Sequence, residues 1–177
     1  MLHGNGGQDD LYGGAMRDQL FGEAADDRLF GESGNDILRG GTGHDLLNGG
    51  TGNDNLRGDA GNDKLFGGSG NDALFGGVGS DWLSGGAGQD TATGGGGRDT
   101  FVFNRGDDVL RITDFSTWQN DVLRIDSSLL GGKAKADALL DLVTDTKDGM
   151  QIDFDNGESI LLQNFHGTLT ASSVDFF

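Results

Sequence analysis

Residues 4 to 102 repeat a nine-residue phrase eleven times without an insertion or deletion. The sixth position is Asp in every copy: Asp9, Asp18, Asp27, Asp36, Asp45, Asp54, Asp63, Asp72, Asp81, Asp90 and Asp99. The eighth is Leu from Leu11 to Leu83, then Ala92 and Phe101. Gly holds the first position throughout and the fourth everywhere except Met16 and Ala25. A period of nine excludes a helix face, whose apolar residues recur near every 3.6 residues. Two kinds of side chain held in phase over eleven copies exclude a random Gly-rich linker.

The phrase is a solenoid unit. Its last three positions, as in "KLF" or "ALF", read as a very short strand with one apolar residue inward. Its first six read as a turn, in which Gly at positions one, two and four supplies positive φ and close approach. Position five carries Asn35, Asn53, Asn62 and Asn71, with Asp26 and His44, residues that tolerate the left-handed region. One unit cannot bury its Leu alone, whereas stacked units bury a continuous column.

Stacking also places Asp over Asp, about 4.8 Å apart if coils pair like neighbouring strands. With 29 acidic against 12 basic residues and a net charge of −17, the chain does not relieve that repulsion with its own cations. Hard divalent cations between the turns relieve it, taking carboxylate and backbone carbonyl oxygens. The candidate ligands are Asp9, Asp27, Asp36, Asp45, Asp54, Asp63, Asp72, Asp81, Asp90 and Asp99. Carbonyls join them from the first-position Gly31, Gly40, Gly49, Gly58, Gly67, Gly76 and Gly85 and the fourth-position Gly34, Gly43, Gly52, Gly61, Gly70, Gly79 and Gly88. Asn5, Glu23, Glu32 and Asp59 replace Gly at the second position, where they crowd the loop or add a ligand. The same charge argues against nucleic-acid binding, which needs a basic patch.

"GGxGxDxLx" resembles the nonapeptide of RTX proteins, bacterial substrates of type I secretion. The resemblance implies an all-β, right-handed parallel β-roll with two copies per coil, each calcium being held by copies k and k+2. Asp9, Asp27, Asp45, Asp63, Asp81 and Asp99 then line one side, and Asp18, Asp36, Asp54, Asp72 and Asp90 the other. Eleven copies form nine such pairs. Weakened by the departures, they lead to an expectation of roughly five to eight bound Ca2+ ions, best between Gly31 and Asp99. The resemblance further implies an extracellular module of a larger exported protein, with the functional domain upstream. Roll domains of alginate epimerases resemble it too. They imply an acidic polysaccharide as an alternative partner, for which Arg28, Arg39, Arg57 and Lys64 are the available cations.

After residue 103 the repeat gives way to ordinary folding signals. Residues 104–177 read as a β-rich cap with one short helix, following a roll over 1–103. "DDVLRITDF" and "NDVLRID" alternate like half-buried strands. "GGKAKADALLDLVTDT" (131–146) reads as an amphipathic helix with Leu139, Leu140, Leu142 and Val143 inward. "MQIDFDNGESILLQNF" reads as two strands around Asp155-Asn156-Gly157. "DTFVF", "DVLRITDF" and "DVLRIDS" resemble the C-terminal part of serralysin-type proteases and related lipases. Asp107, Asp108, Asp114 and Asp121 are candidates for an extra calcium there, against turn and cap roles. "VDFF" resembles the terminal element of type I secretion signals, so removing Val174 to Phe177 is expected to spare folding.

The chain has no Cys, so disulfides and thiolate metal sites are excluded. It has no apolar run long enough to span a membrane and no N-terminal signal-peptide pattern. "HExxH" and "GxSxG" are absent, and the three histidines, His3, His44 and His166, form no motif, so the chain reads as non-catalytic.

Overall fold

The computed structural model describes residues 1–131, 139, 141–170 and 172–177. Eleven strands lie along the repeats: β1 (Leu2–His3), β2 (Asp10–Ala15), β3 (Gln19–Ala24), β4 (Arg28–Ser33), β5 (Ile37–Thr42), β6 (Leu46–Thr51), β7 (Asn55–Ala60), β8 (Lys64–Ser69), β9 (Ala73–Val78), β10 (Trp82–Ala87) and β11 (Gln89–Gly96). Each full strand pairs in parallel with the strand two copies on, as Leu38 with Leu56 and Leu47 with Leu65. Two sheets result, the geometry of a parallel β-solenoid in which two copies make one coil.

Most strands are six residues long rather than three. The backbone stays extended through the first three positions of the following copy, because paired glycines still exchange ladder hydrogen bonds. Only positions four to six turn. Leu20, Leu38, Leu56, Leu74 and Ala92 form one inward column; Leu29, Leu47, Leu65, Leu83 and Phe101 form the other, all at 0% exposure. Burying each Leu contributes about 1.5–3 kcal/mol relative to leaving it in water. Leu2 and Leu11, in the first coil, are only partly buried.

Both columns continue beyond the repeats. β12 (Thr100–Phe103) and β14 (Val122–Ile125) extend one sheet; β13 (Val109–Ile112) and β17 (Ser159–Gln163) extend the other. β16 (Gly149–Asp153) then pairs antiparallel with β17, across the turn the Asp155-Asn156-Gly157 signal marks. Stacked Phe103 and Phe154, and Phe115 edge-on to Phe165, thicken the core here.

Two expectations for the tail are corrected. Val143–Thr146, assigned to the helix, is strand β15, pairing antiparallel with β16. Its Val and Thr residues suit a half-buried edge. Leu139, Leu142 and Val143 do pack on the core. Residues 132–138 and Leu140, the rest of that helix, lie outside the described residues. An unforeseen 3-10 turn spans Ser127–Leu130, capped by Asp126 and ended by Gly131 at φ 59°. The second concerns only the expectation that the "VDFF" end stands apart from the folding of the chain. Val174–Phe176 form β18, which pairs in parallel with β14. Arg124 binds Asp175 at 2.9 Å and lies between the rings of Trp82 and Phe177, so this end is part of the fold. Among the described residues no helix is long and apolar enough to cross a membrane.

Candidate metal centre

The sixth-position Asp closes each turn and points inward at its edge. From Asp27 to Asp99 these side chains are between 0 and 3% exposed; Asp9 and Asp18 are half-buried. Their two oxygens have different fates. Oδ1 accepts the backbone N–H of the Asp two copies earlier: Asp45 N–H donates to Asp63 Oδ1 and Asp54 N–H to Asp72 Oδ1, each at 2.8 Å. Oδ2 of Asp9, Asp27, Asp36, Asp45, Asp54, Asp63, Asp72, Asp81 and Asp99 is buried without a hydrogen-bond partner. A buried, unpaired carboxylate oxygen costs several kcal/mol.

The first-position glycines explain where those oxygens face. At Gly31 a Cβ would lie 2.5 Å from both Asp36 Oδ2 and the carbonyl oxygen of Gly49. Gly49, Gly58, Gly67 and Gly76 repeat this crowding by their own copy's Asp and the carbonyl two copies on; Gly40 and Gly85 are crowded by Asp45 and Asp90. A carboxylate and a carbonyl oxygen thus converge on a place only glycine leaves open. These glycines do not have positive φ, so position one needs close approach alone. Gly34, Gly43, Gly52, Gly61, Gly70, Gly79 and Gly88 do have φ between 127° and 142°, and a Cβ there would meet a carbonyl of the preceding turn.

Two further expectations change. Position five is not left-handed; its side chains form a second ladder. Asn35, Asn53 and Asn71 Oδ1 accept the N–H of Asn53, Asn71 and Gln89 at 2.8–2.9 Å. Asp26, His44 and Asn62 do the same on the other side. The acids at position two do not face the turns. Asp59 accepts from Nε of both Arg39 and Arg57, and Glu23 pairs with His3, all on the outer sheet face. Composition reveals neither, because both depend on which face a strand residue presents.

Burial raises the carboxylate pKa values most, opposed by the N–H bond and reinforced by neighbouring carboxylates. Asp45, Asp72 and Asp99 are pushed up to about 6, and Asp81 and Asp90 to about 7. Asp27, Asp36, Asp54 and Asp63 rise for the same first cause. Among the described residues no three acidic or imidazole side chains converge into a cage of their own. One carboxylate per turn with backbone carbonyls instead suits Ca2+, which takes six to eight oxygens in flexible geometry.

The sequence model of the RTX calcium-binding nonapeptide repeat matches the chain over residues 3–38, 12–47, 39–74 and 75–110. No curated protein matches it. Among solved structures, the AlgE6R3 subunit from the Azotobacter vinelandii mannuronan C5-epimerase is 33% identical, over 69% of this chain and 77% of that one, with a TM-score of 0.52. The extracellular lipase LipA from Serratia marcescens is 17% identical, over 96% of this chain, with a TM-score of 0.43; this chain spans 40% of the lipase's length. The family matches cover residues 3 to 110 without a gap, and the chain belongs to the RTX calcium-binding nonapeptide repeat family.

Proposed function

We propose that the chain is a calcium-dependent folding module of a larger exported protein, with residues 1–103 as the calcium-binding roll and 104–177 as its cap. The observation that carries this reading is the set of buried Oδ2 atoms without partners. At neutral pH and without metal, rows of ionised carboxylates at strand spacing oppose the stack. When bound, Ca2+ supplies the hard positive charge that turns those oxygens into ligands. Each Asp then holds its turn twice, through Oδ1 on the neighbouring N–H and Oδ2 at the metal. Ligand-binding free energy becomes folding free energy in such a chain. Calcium is scarce inside cells and abundant outside, so the chain stays unfolded for type I export and folds in the extracellular medium. Circular dichroism during a calcium titration tests this: little β signal in chelator at neutral pH, and cooperative gain at about 0.1–1 mM calcium. A full β spectrum in chelator overturns it.

A second reading, binding of an acidic polysaccharide, has its own observation. Arg39 and Arg57 are register neighbours, and Arg39 lines a groove of about 610 Å³ with Phe21, Glu23, Thr42 and Asp59. Asp59 neutralises part of their charge, and Arg28 and Lys64 stand on the other sheet. Titration with oligomannuronate and oligoguluronate in calcium buffer decides: saturable binding lost in Arg39→Ala supports it, and no heat or shift removes it.

A further inference from the structure

We propose that the junction of roll and cap carries a binding pocket for a carboxylated sugar, built on Arg98, Thr117, Asn120 and the hydroxyls of Thr170 and Ser172. It is separate from the groove at Arg39. Arg98 stands at position five of the last copy. In its row Asp26, His44 and Asn62 each accept the N–H of the residue two copies on. A guanidinium has donors alone, so Arg98 cannot continue that ladder. The place it would have served belongs to Asn120, one residue before Asp121 just as Arg98 is one before Asp99. Asn120, at φ 63°, instead donates its N–H to the Thr117 carbonyl at 3.3 Å. The Arg98 guanidinium, the Thr117 hydroxyl and the Asn120 amide group have no hydrogen-bond or ion-pair partner among the described residues.

These three groups line one pocket of about 300 Å³. That volume is at the lower end for ligand sites and suits a single sugar ring. The segment entering β18 supplies another wall. Thr170 Oγ1 and Ser172 Oγ lie 2.9 Å apart, and Thr170 N–H donates to Ser173 Oγ at 2.7 Å, which fixes these hydroxyls in place. Asp121 also lines the pocket, its two oxygens accepting the N–H groups of Asp99 and Ser116 at 3.0 and 2.8 Å. Its charge opposes a doubly charged phosphate or sulfate. A single carboxylate matches the planar fork of one guanidinium. Hydroxyl and amide groups both donate and accept, as the hydroxyls of a sugar require. Trp118, between Thr117 and Asn120 in the same loop, is 95% exposed. Its ring offers a stacking surface to the C–H face of a sugar. The loop that carries it is held by Gln119 Nε2 on the Gly95 carbonyl at 3.2 Å.

Saturation-transfer NMR on the full chain, at fixed free calcium and ionic strength, measures the binding of glucuronate as a probe. Trp82→Phe leaves Trp118 as the sole tryptophan, so its emission gives a second titration. Glucuronate should bind saturably, and glucuronamide, which lacks the charge, about tenfold more weakly. Arg98→Met should cost about the same factor. Asn120→Gly, which keeps the left-handed turn, should weaken binding several-fold, and Arg39→Ala should leave it unchanged. Circular dichroism in calcium shows that each variant is folded. Equal affinity for glucuronate and cellobiouronate, a disaccharide ending in the same acid, places one free sugar in the pocket. Tighter binding of cellobiouronate places the end of an acidic glycan there, its second ring on Trp118. The absence of saturable binding, equal affinity for glucuronate and glucuronamide, or unchanged affinity in a folded Arg98→Met chain overturns the pocket. Binding lost in Arg39→Ala and kept in Arg98→Met assigns the ligand to the groove on the roll and overturns it as well.

Discussion

Residue by residue, the nonapeptide separates two reasons for glycine. At Gly67, φ is ordinary, but a Cβ would lie within 3.0 Å of Asp72 Oδ2 and the Gly85 carbonyl. At Gly96 a Cβ would meet nothing within 4 Å, and φ is again ordinary. Gly67→Ala should therefore raise the calcium midpoint of folding several-fold, while Gly96→Ala should be neutral or stabilise by about 0.4–1 kcal/mol through the unfolded chain. Equal effects in a calcium titration would mean that the Asp and glycine oxygens are not held together. The carboxylates rank by position as well. Asp63→Asn or Asp72→Asn removes a buried oxygen without a partner and should raise the midpoint roughly tenfold or more. Asp18, half-buried beside the exposed Met16, should tolerate Asn with little change in the same titration.

At the scale of elements, the terminal strand makes the sharpest demand. β18 hydrogen-bonds along β14, and the carbonyl of Phe177 accepts the N–H of Ser127 at 3.0 Å. Arg124, between two rings and beside Asp175, ties this strand to β10. Cation–π and partly exposed ion-pair contacts are worth about 0.5–2 kcal/mol together. Deleting Val174 to Phe177 should accordingly lower the melting temperature of the calcium-loaded chain by several degrees. An unchanged melting curve would show that β18 only decorates the last coil. The antiparallel pair β15–β16 serves the other sheet, because reversing direction ends the parallel stack.

For the whole molecule, charge and burial act on the same carboxylates. From Asp27 to Asp99 burial holds the folded pKa values above 3.8, up to about 6 at Asp45, Asp72 and Asp99 and about 7 at Asp81 and Asp90. A carboxylate raised in this way favours the metal-free fold while protonated. That contribution is complete below 3.8 and is lost as pH rises through about 6 to 7. In chelator, β signal should thus grow when pH falls from about 7.5 to about 5, whereas the calcium midpoint should rise over the same change because protons compete for the ligands. Circular dichroism in chelator that is flat across this range would show that the buried carboxylates do not limit the metal-free fold.

The repeat alone determined the solenoid, the Leu columns and the two Asp rows, because a nine-residue phase held without slippage leaves one stacking register open. Asp63 and Leu65 were legible for this reason, and so was the hairpin at Asp155-Asn156-Gly157, whose turn residues act locally. Tertiary structure decided whatever depends on a distant neighbour. Glu23 and Asp59 turn outward because His3, Arg39 and Arg57 stand on the same sheet face. The position-five residues serve as ladder acceptors because a further turn lies 18 residues on. Val143–Thr146 is a strand because β16 offers an edge, and Val174–Phe176 is a strand because β14 does. Asp121 accepts the Asp99 N–H across a 22-residue step, which breaks the period that made every earlier member of the row visible.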